Sequence, residues 1–355
     1  MKVAIDATPL TLTSGGIARY TAELSRALAV AFPDDEFVLT SDQTATLPYP
    51  APANLRLGGS PANVWERRWW LWGVQREMMR QEADVFHGTH FAVPWMPLRP
   101  SVATLHDLSP WMDGTWHCDS SFARRSGLFS AGLGAATMIV TPREAVRRQA
   151  IDFFRLHPAK VVATPLAAAA AFRPTVNAPD ASPYFLFVGT LEPRKNLVML
   201  VEAWRDVRKR HSIDLVLVGR RREDAPDLPP EPGLRVTGEL PDERLPGLYA
   251  GALAFAYPSF YEGFGLPVLE AMQCGAAVIA SRDPAIHEVA GDAAQLLDPR
   301  DTRAWIGALE AIATGAEEAA RWRARSTGRA RLFSWERTAR LTREVYAEAI
   351  RREGR

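Results

Sequence analysis

Short apolar, β-branched runs alternate with longer stretches of helical periodicity, and this alternation constrains the chain more than any other feature. Lys2–Asp6 (KVAID), Phe37–Thr40, Asp84–His87 (DVFH), Ser101–His106 (SVATLH), Thr137–Thr141 (TMIVT) and Lys160–Ala163 read as strands. Ile17–Val30, Trp65–Arg80 and Arg143–Phe154 read as helices between them, with Leu24, Ala27 and Leu28 sharing one face of the first. Strands that alternate with helices imply βαβ units and a parallel sheet. The series stops at a near-continuous alanine stretch, Leu166–Ala171, and a proline-rich one, Phe172–Pro183, which together read as a linker. It then restarts with strands Tyr184–Gly189 (YFLFVG), Ile213–Gly219 (IDLVLVG), Leu234–Gly238, Leu253–Ser259, Ala276–Ser281 and Ala294–Asp298. Helices Leu197–His211 and Leu266–Cys274 fall among them, and residues 301–353 are almost wholly helical in pattern.

Two domains also follow from size, because the chain has 355 residues and single cores stop growing near roughly 250–300. The 42 basic residues nearly balance the 41 acidic ones, for a net charge of +1. A nucleic-acid binder usually shows a basic excess, so none is expected as a partner. The 47% hydrophobic content excludes a disordered chain. Cys118 and Cys274 lie far apart with no zinc-site spacing, which fits a reduced, cytoplasmic compartment. The apolar run at the N-terminus is broken by Asp6, too early for a secretory signal. No run approaches the roughly 18–20 apolar residues of a membrane span. The expected class is therefore α/β, with two tandem doubly wound domains. Their strands' carboxyl edges, where such sheets bind ligands, would face a central cleft.

Four stretches fall at those edges. In Ser259–Glu270 (SFYEGFGLPVLE), Gly263 and Gly265 permit a tight loop and Pro267 suits the first turn of a helix. The helix start offers free N–H groups and a positive dipole end to a phosphate. Glu262 precedes the turn and Glu270 lies inside the helix, two acids able to accept from sugar or ribose hydroxyls. In Gly189–Asn196 (GTLEPRKN), Arg194 and Lys195 follow a strand, a planar fork beside a point charge suited to a diphosphate. Thr13–Tyr20 (TSGGIARY) places Gly15 and Gly16 after the first strand, where a phosphate or sugar loop belongs, but without dinucleotide or Walker spacing. His106, with Asp107, closes the strand Ser101–Leu105, where an imidazole can bond a sugar hydroxyl or handle a proton.

Gly15–Tyr20 (GGIARY), His106–Leu108 (HDL), GTLEPRKN, Thr237-Gly238, Tyr257–Glu270 (YPSFYEGFGLPVLE) and Phe333–Glu336 (FSWE) together resemble the GT-B glycosyltransferases. The likeness is close to the retaining family 4, which includes bacterial mannosyltransferases of polysaccharide assembly. It implies two Rossmann-like domains: 1–170 for the acceptor, 171–334 for a nucleotide-sugar donor, and a helix over 335–355 that crosses back. It implies Arg194 and Lys195 at the diphosphate and Glu262 on the donor-sugar hydroxyls beside Gly263, Phe264, Gly265 and Leu266. Glu270 would hold the ribose, Thr237 and Gly238 would lie near the base, Gly15 and Gly16 would close on the phosphates, and His106 would lie near the transferred sugar. His106, Arg194, Lys195 and Glu262 are the expected catalytic set. No cofactor and no metal are implied. Two stretches depart from the family pattern: Pro165–Ala169 lacks its glycine and polar residues, and Pro142–Glu144 lacks its serine.

The expected function is transfer of a hexose, mannose from GDP-mannose, to a glycan or lipid-linked glycan in cell-surface polysaccharide synthesis. Alternatives on the same fold are a sugar-nucleotide 2-epimerase, a glycan phosphorylase, or a catalytically inactive nucleotide-sugar-binding subunit. Trp65–Arg80 carries four tryptophans among arginines, which suits a peripheral contact with the inner face of the cytoplasmic membrane. The i, i+4, i+7 spacing of Trp65, Trp69 and Trp72 instead places those three on a core face.

Overall fold

A computed structural model describes residues 1–11, 15–59, 61, 63, 65–175 and 182–354. Thr13 and Ser14 of the glycine loop and residues 176–181 of the expected linker, Pro179 included, lie outside the described residues. The chain forms two compact units. Unit 1 comprises Met1–Met112, Asp119–Leu166 and Ser334–Arg355, and unit 2 comprises Asp113–Cys118 and Ala167–Phe333.

Among the described residues, unit 1 holds strands β1 (Lys2–Asp6), β2 (Glu36–Thr40), β3 (Leu55–Leu57), β4 (Val85–Gly88), β5 (Ser101–Thr104), β6 (Met138–Thr141) and β7 (Val161–Ala163). Helices α1 (Gly16–Ala31), α2 (Val74–Gln81), α3 (Ser121–Gly127) and α4 (Glu144–Phe154) connect them. The sheet order is β3-β2-β1-β4-β5-β6-β7, and every described pairing is parallel. Its strands β1, β4 and β6 are buried on both faces, which is why they read as continuous apolar runs rather than alternating ones.

Unit 2 holds β8 (Tyr184–Val188), β9 (Asp214–Val218), β10 (Leu234–Gly238), β11 (Ala254–Tyr257), β12 (Val278–Ser281) and β13 (Gln295–Leu297), in the order β10-β9-β8-β11-β12-β13. Helices α5 (Leu197–Arg208), α6 (Leu245–Gly251), α7 (Leu266–Gln273), α8 (Pro284–Ala290), α9 (Thr302–Thr314) and α10 (Ala316–Ala330) accompany it. Both orders are those of a doubly wound, Rossmann-like sheet, with reversal points at β1/β4 and β8/β11. Helix α11 (Trp335–Glu353) then packs in unit 1, where Ala339, Val345, Tyr346 and Ala349 are buried.

Two sequence expectations are corrected by the structure. First, Trp65–Arg80 is not one helix. The Asn63 carboxamide oxygen accepts from the N–H groups of Trp65 and Glu66, so a turn forms there. Arg68 is not helical (φ −78°, ψ 65°), and Trp69–Gly73 makes a π-type turn before α2. The 3.6-residue register therefore never reaches back to Trp65. Trp69 is buried and Trp70 packs on Phe86, whereas Trp65 and Trp72 are exposed at 67% and 48%. Second, β3 is an added strand, too short and too exposed at Arg56 to show periodicity. The alanine stretch, read as a linker, does hold the boundary between the two units at Leu166 and Ala167, and it is packed. Ala167, Ala168 and Phe172 are buried, and the Gln273 amide donates to the carbonyls of Ala169 and Phe172.

Candidate active site

In unit 2 the two strands at the reversal point, β8 and β11, pair directly. GTLEPRKN leaves the carboxyl end of one and SFYEGFG leaves the other, so the topology alone brings the two motif loops side by side. They are then bonded together. Phe260 N–H donates to the Arg194 carbonyl (3.0 Å), and the Arg194 guanidinium donates to the Tyr261 carbonyl. Asn196, at a left-handed φ of 55° before α5, donates its amide to the Pro299 carbonyl at 2.6 Å. Gly219, at φ 146°, lies so close to the loop after β8 that a Cβ there would sit 2.0 Å from the Gly189 oxygen.

Glu262 is the centre of the cluster. Its Oε1 accepts from the Lys195 ammonium at 2.6 Å and its Oε2 lies 3.3 Å from the Arg194 guanidinium. Lys195 and Glu262 are both buried. Burial alone would raise the Glu262 carboxyl, but Lys195 and then Arg194 outweigh it and hold it at about 2. Burial lowers Lys195, with Glu262 opposing. An ionised pair at neutral pH satisfies both directions. Lys195 also donates to the Tyr257 hydroxyl at 2.7 Å and lies 4.9 Å from that ring's centroid.

Helix α7 is capped by Gly265, which sits at φ 86° where an L side chain would be strained. Among the described residues, the N–H groups of Gly265 and Leu266 have no protein acceptor, and Gly263, Phe264 and Gly265 are buried. Amides without acceptors at a helix start, the buried one of Gly265 and the half-buried one of Leu266, form a site for an anion. Glu270, one turn further in, is 1% exposed and accepts from the Tyr249 hydroxyl at 3.1 Å. Thr237 and Gly238 lie at the end of edge strand β10. The Thr237 hydroxyl is turned onto the Gly238 carbonyl (3.0 Å), and Gly238 has φ 73°.

Gly15, Gly16 and His106 belong to unit 1. Gly15 caps α1 at φ 121°, and a Cβ on either glycine would meet open space. His106 lies two residues beyond β5 rather than closing the strand. Its Nε2 donates to the Thr89 carbonyl at 2.7 Å, which leaves Nδ1 as the acceptor nitrogen. Burial lowers its pKa, against Thr89 and Asp107, so the ring is neutral at pH 7. Its ring meets Tyr20 of α1 edge-on at 4.9 Å, so GGIARY and HDL do come together. Tyr20 in turn joins a buried chain. Its hydroxyl lies 3.0 Å from Thr104, Thr104 lies 2.7 Å from His87 Nε2, and His87 Nδ1 lies 2.7 Å from the Tyr346 hydroxyl of α11.

Sequence reasoning missed several residues of the cluster. Glu192 accepts from Arg194 at 2.8 Å and pairs with Arg222, extending the network to Asp224. Three consecutive arginines at 220–222, just after β9 at the carboxyl edge, were the available signal. Arg222 also donates to the Trp116 carbonyl at 2.7 Å, and the Trp116 ring stacks on Tyr261 at 5.8 Å. Nothing local in the sequence marks Trp116, since its partners lie more than 100 residues away.

Residues 169–329 match the family described as Glycosyl transferases group 1, and residues 14–168 match Glycosyltransferase Family 4. The chain is 31% identical to an O-antigen chain mannosyltransferase B of Escherichia coli, over 98% of this chain and 99% of that one. Its fold is similar to a sucrose-phosphate synthase of Thermosynechococcus elongatus (TM-score 0.75, 18% identity, 98% of both chains). It is also similar to Anabaena Alr3699/HepE solved with UDP and glucose (TM-score 0.69, 16% identity, 98% of this chain and 100% of that one). The motif loops at β8 and β11, the two Rossmann-like sheets and the full-length likeness agree, and the chain belongs to the family 4 glycosyltransferases of the GT-B fold.

Proposed function

We propose that this glycosyltransferase takes mannose from GDP-mannose and adds it, with retention, to a glycan or lipid-linked glycan of a cell-surface polysaccharide. The observation that carries the reading is the Lys195–Glu262–Arg194 cluster beside the acceptor-free amides of α7. Glu262 pairs with both cations and holds them in position. An incoming diphosphate replaces it as the partner of Lys195 and Arg194, and the Gly265 and Leu266 amides take phosphate oxygens. Glu262 is then free to accept from the donor-sugar hydroxyls, and Glu270 from the ribose. Charge that develops on the leaving phosphate is met by groups already in place, which is the economical form of electrostatic catalysis. His106, neutral with Nδ1 open, suits a hydroxyl of the transferred sugar or the acceptor. No step needs a cofactor or a metal in this scheme, because the two cations and the helix start neutralise the phosphates.

Mannose and the polysaccharide acceptor are supported by the likeness to relatives such as the O-antigen chain mannosyltransferase B of E. coli. A nucleotide donor is supported by the Anabaena neighbour solved with UDP and glucose. Exposed Trp65 and Trp72, with Arg67 and Arg68 beside them, support a peripheral contact with an anionic membrane, and no described helix is long and apolar enough to cross one. The purified chain should show a larger thermal shift with GDP-mannose than with UDP, ADP or dTDP sugars. It should release GDP only when a mannosylated acceptor is added. Interconversion of the donor without acceptor would overturn the reading in favour of an epimerase, and donor binding without turnover would leave only a sensor.

A further inference from the structure

Unit 1 contains a groove of about 600 Å³ that the donor site does not use. It runs between α3 and the end of α4. Its walls are apolar, built on Trp111, Leu128 and Phe153, with Leu128 and Phe153 about half exposed. Arg124, Arg125 and Arg155 stand along it. Among the described residues no acid lines the groove, and none of the three arginines has a carboxylate partner. Arg124 is oriented, because its Nε donates to the Pro110 carbonyl and leaves both terminal nitrogens for a ligand. Arg155 occupies the left-handed position after α4 (φ 53°), where glycine is the usual residue. A long cationic side chain therefore leaves the helix end at the mouth of an apolar trough.

Each half of this arrangement selects a different part of a ligand. Guanidinium forks without counter-ions select a phosphate, bidentately where geometry allows. Exposed leucine and phenylalanine beside a tryptophan select hydrocarbon. The volume lies within the range of a single small-molecule site, not of an extended surface. We propose that this groove binds the phosphate-bearing end of one single-chain lipid, an alkyl or prenyl phosphate, as the anchor of the acceptor. The assignment to the acceptor rests on the lipid-linked reading above. The groove's chemistry does not depend on that reading.

Isothermal titration of the full chain with decyl phosphate, octyl phosphate, inorganic phosphate and uncharged decyl glucoside tests this directly. Each methylene buried is worth about fourfold, so decyl should bind roughly fifteenfold tighter than octyl phosphate. Decyl glucoside and inorganic phosphate should each bind roughly tenfold more weakly or worse. R125Q/R155Q, both exposed positions, should sharply reduce the preference for phosphate over glucoside, leaving only the share of Arg124, at an unchanged melting temperature. F153S should reduce the chain-length dependence and keep the preference for phosphate. Equal binding of the glucoside, equal binding of inorganic phosphate, or an unaltered preference in R125Q/R155Q would overturn the proposal. So would retention only on phosphatidylglycerol vesicles, which would make the face a bilayer contact. Donor specificity is read separately, by nucleotide-sugar thermal shift, so failure of the mannose reading and failure of the groove are told apart.

Discussion

Replacing Lys195 with Met removes the ammonium that lies 2.6 Å from Glu262 and leaves that buried carboxylate with Arg194 at 3.3 Å. A carboxyl held at about 2 rather than its ordinary 4.5 contributes roughly 3 kcal/mol at neutral pH. Its folded pKa is depressed, so this stability is present above about pH 4.5 and is lost as pH falls toward 2. Lys195 supplies the larger part of the pull. Breaking a buried pair from one side costs about 3–5 kcal/mol by precedent, because the surviving charge stays buried. Lys195→Met should therefore cost unit 2 about 3 kcal/mol, a fall of roughly 6–12 °C in its calorimetric transition. Lys195→Met/Glu262→Gln removes both charges and leaves Arg194 paired with Glu192. It should recover most of the lost stability, since buried pairs replaced as a whole are close to neutral. Transfer should fall about 10²–10³-fold in the single variant and stay there in the double one. Stability losses that simply add in the double variant, or an unchanged transition in the single one, would refute the coupling of Lys195 and Glu262 as one buried pair.

Two further outcomes are expected. Gly219→Ala puts a Cβ 2.0 Å from the Gly189 oxygen at a φ of 146°, which should cost roughly 3 kcal/mol or more; a melting temperature within a degree of wild type would contradict the close approach. His87 is held at about 3 by burial, and next by His106. The unfolded chain therefore binds its proton first, and stability falls as pH drops below 6.5 and goes on falling toward 3. By pH 4.5 this amounts to about 3 kcal/mol. Urea titrations of wild type and His87→Gln at pH 7 and 4.5 check it: the variant should lose about 3 kcal/mol less between the two, with a remaining loss from His90 and His106, which burial also lowers, and equal losses would exclude a contribution from His87.

The parts of this fold that were legible in the sequence are those whose physics is local. β8, β11 and α7 stand out because a buried parallel strand is a continuous apolar run and because Gly-Leu-Pro announces a helix start. The adjacency of PRKN and EGFG followed from strand order, and the ion pairs between them followed from that adjacency. What could not be read depends on distant partners or on a break in register. The π-type turn at Trp69–Gly73 rotated two of three tryptophans out of the expected face. His87, Thr104 and Tyr346 are unremarkable in isolation and form a chain only because α11 comes back to β4 and β5. Arg222 and Trp116 meet across 106 positions of sequence.

The return of α11 to unit 1 also sets an order of events during synthesis. Domains usually fold as they leave the ribosome, the earlier one first. Here the earlier sheet is made first but emerges without its last helix, so His87 Nδ1 has no Tyr346 hydroxyl and the inner face of β4 and β5 stays uncovered. The whole of residues 167–333 must be translated before that face is closed. Unit 2, nearly continuous in sequence, can be complete while unit 1 is still waiting. A released chain truncated after Phe333 should thus display a finished second unit and a first sheet that proteases still open.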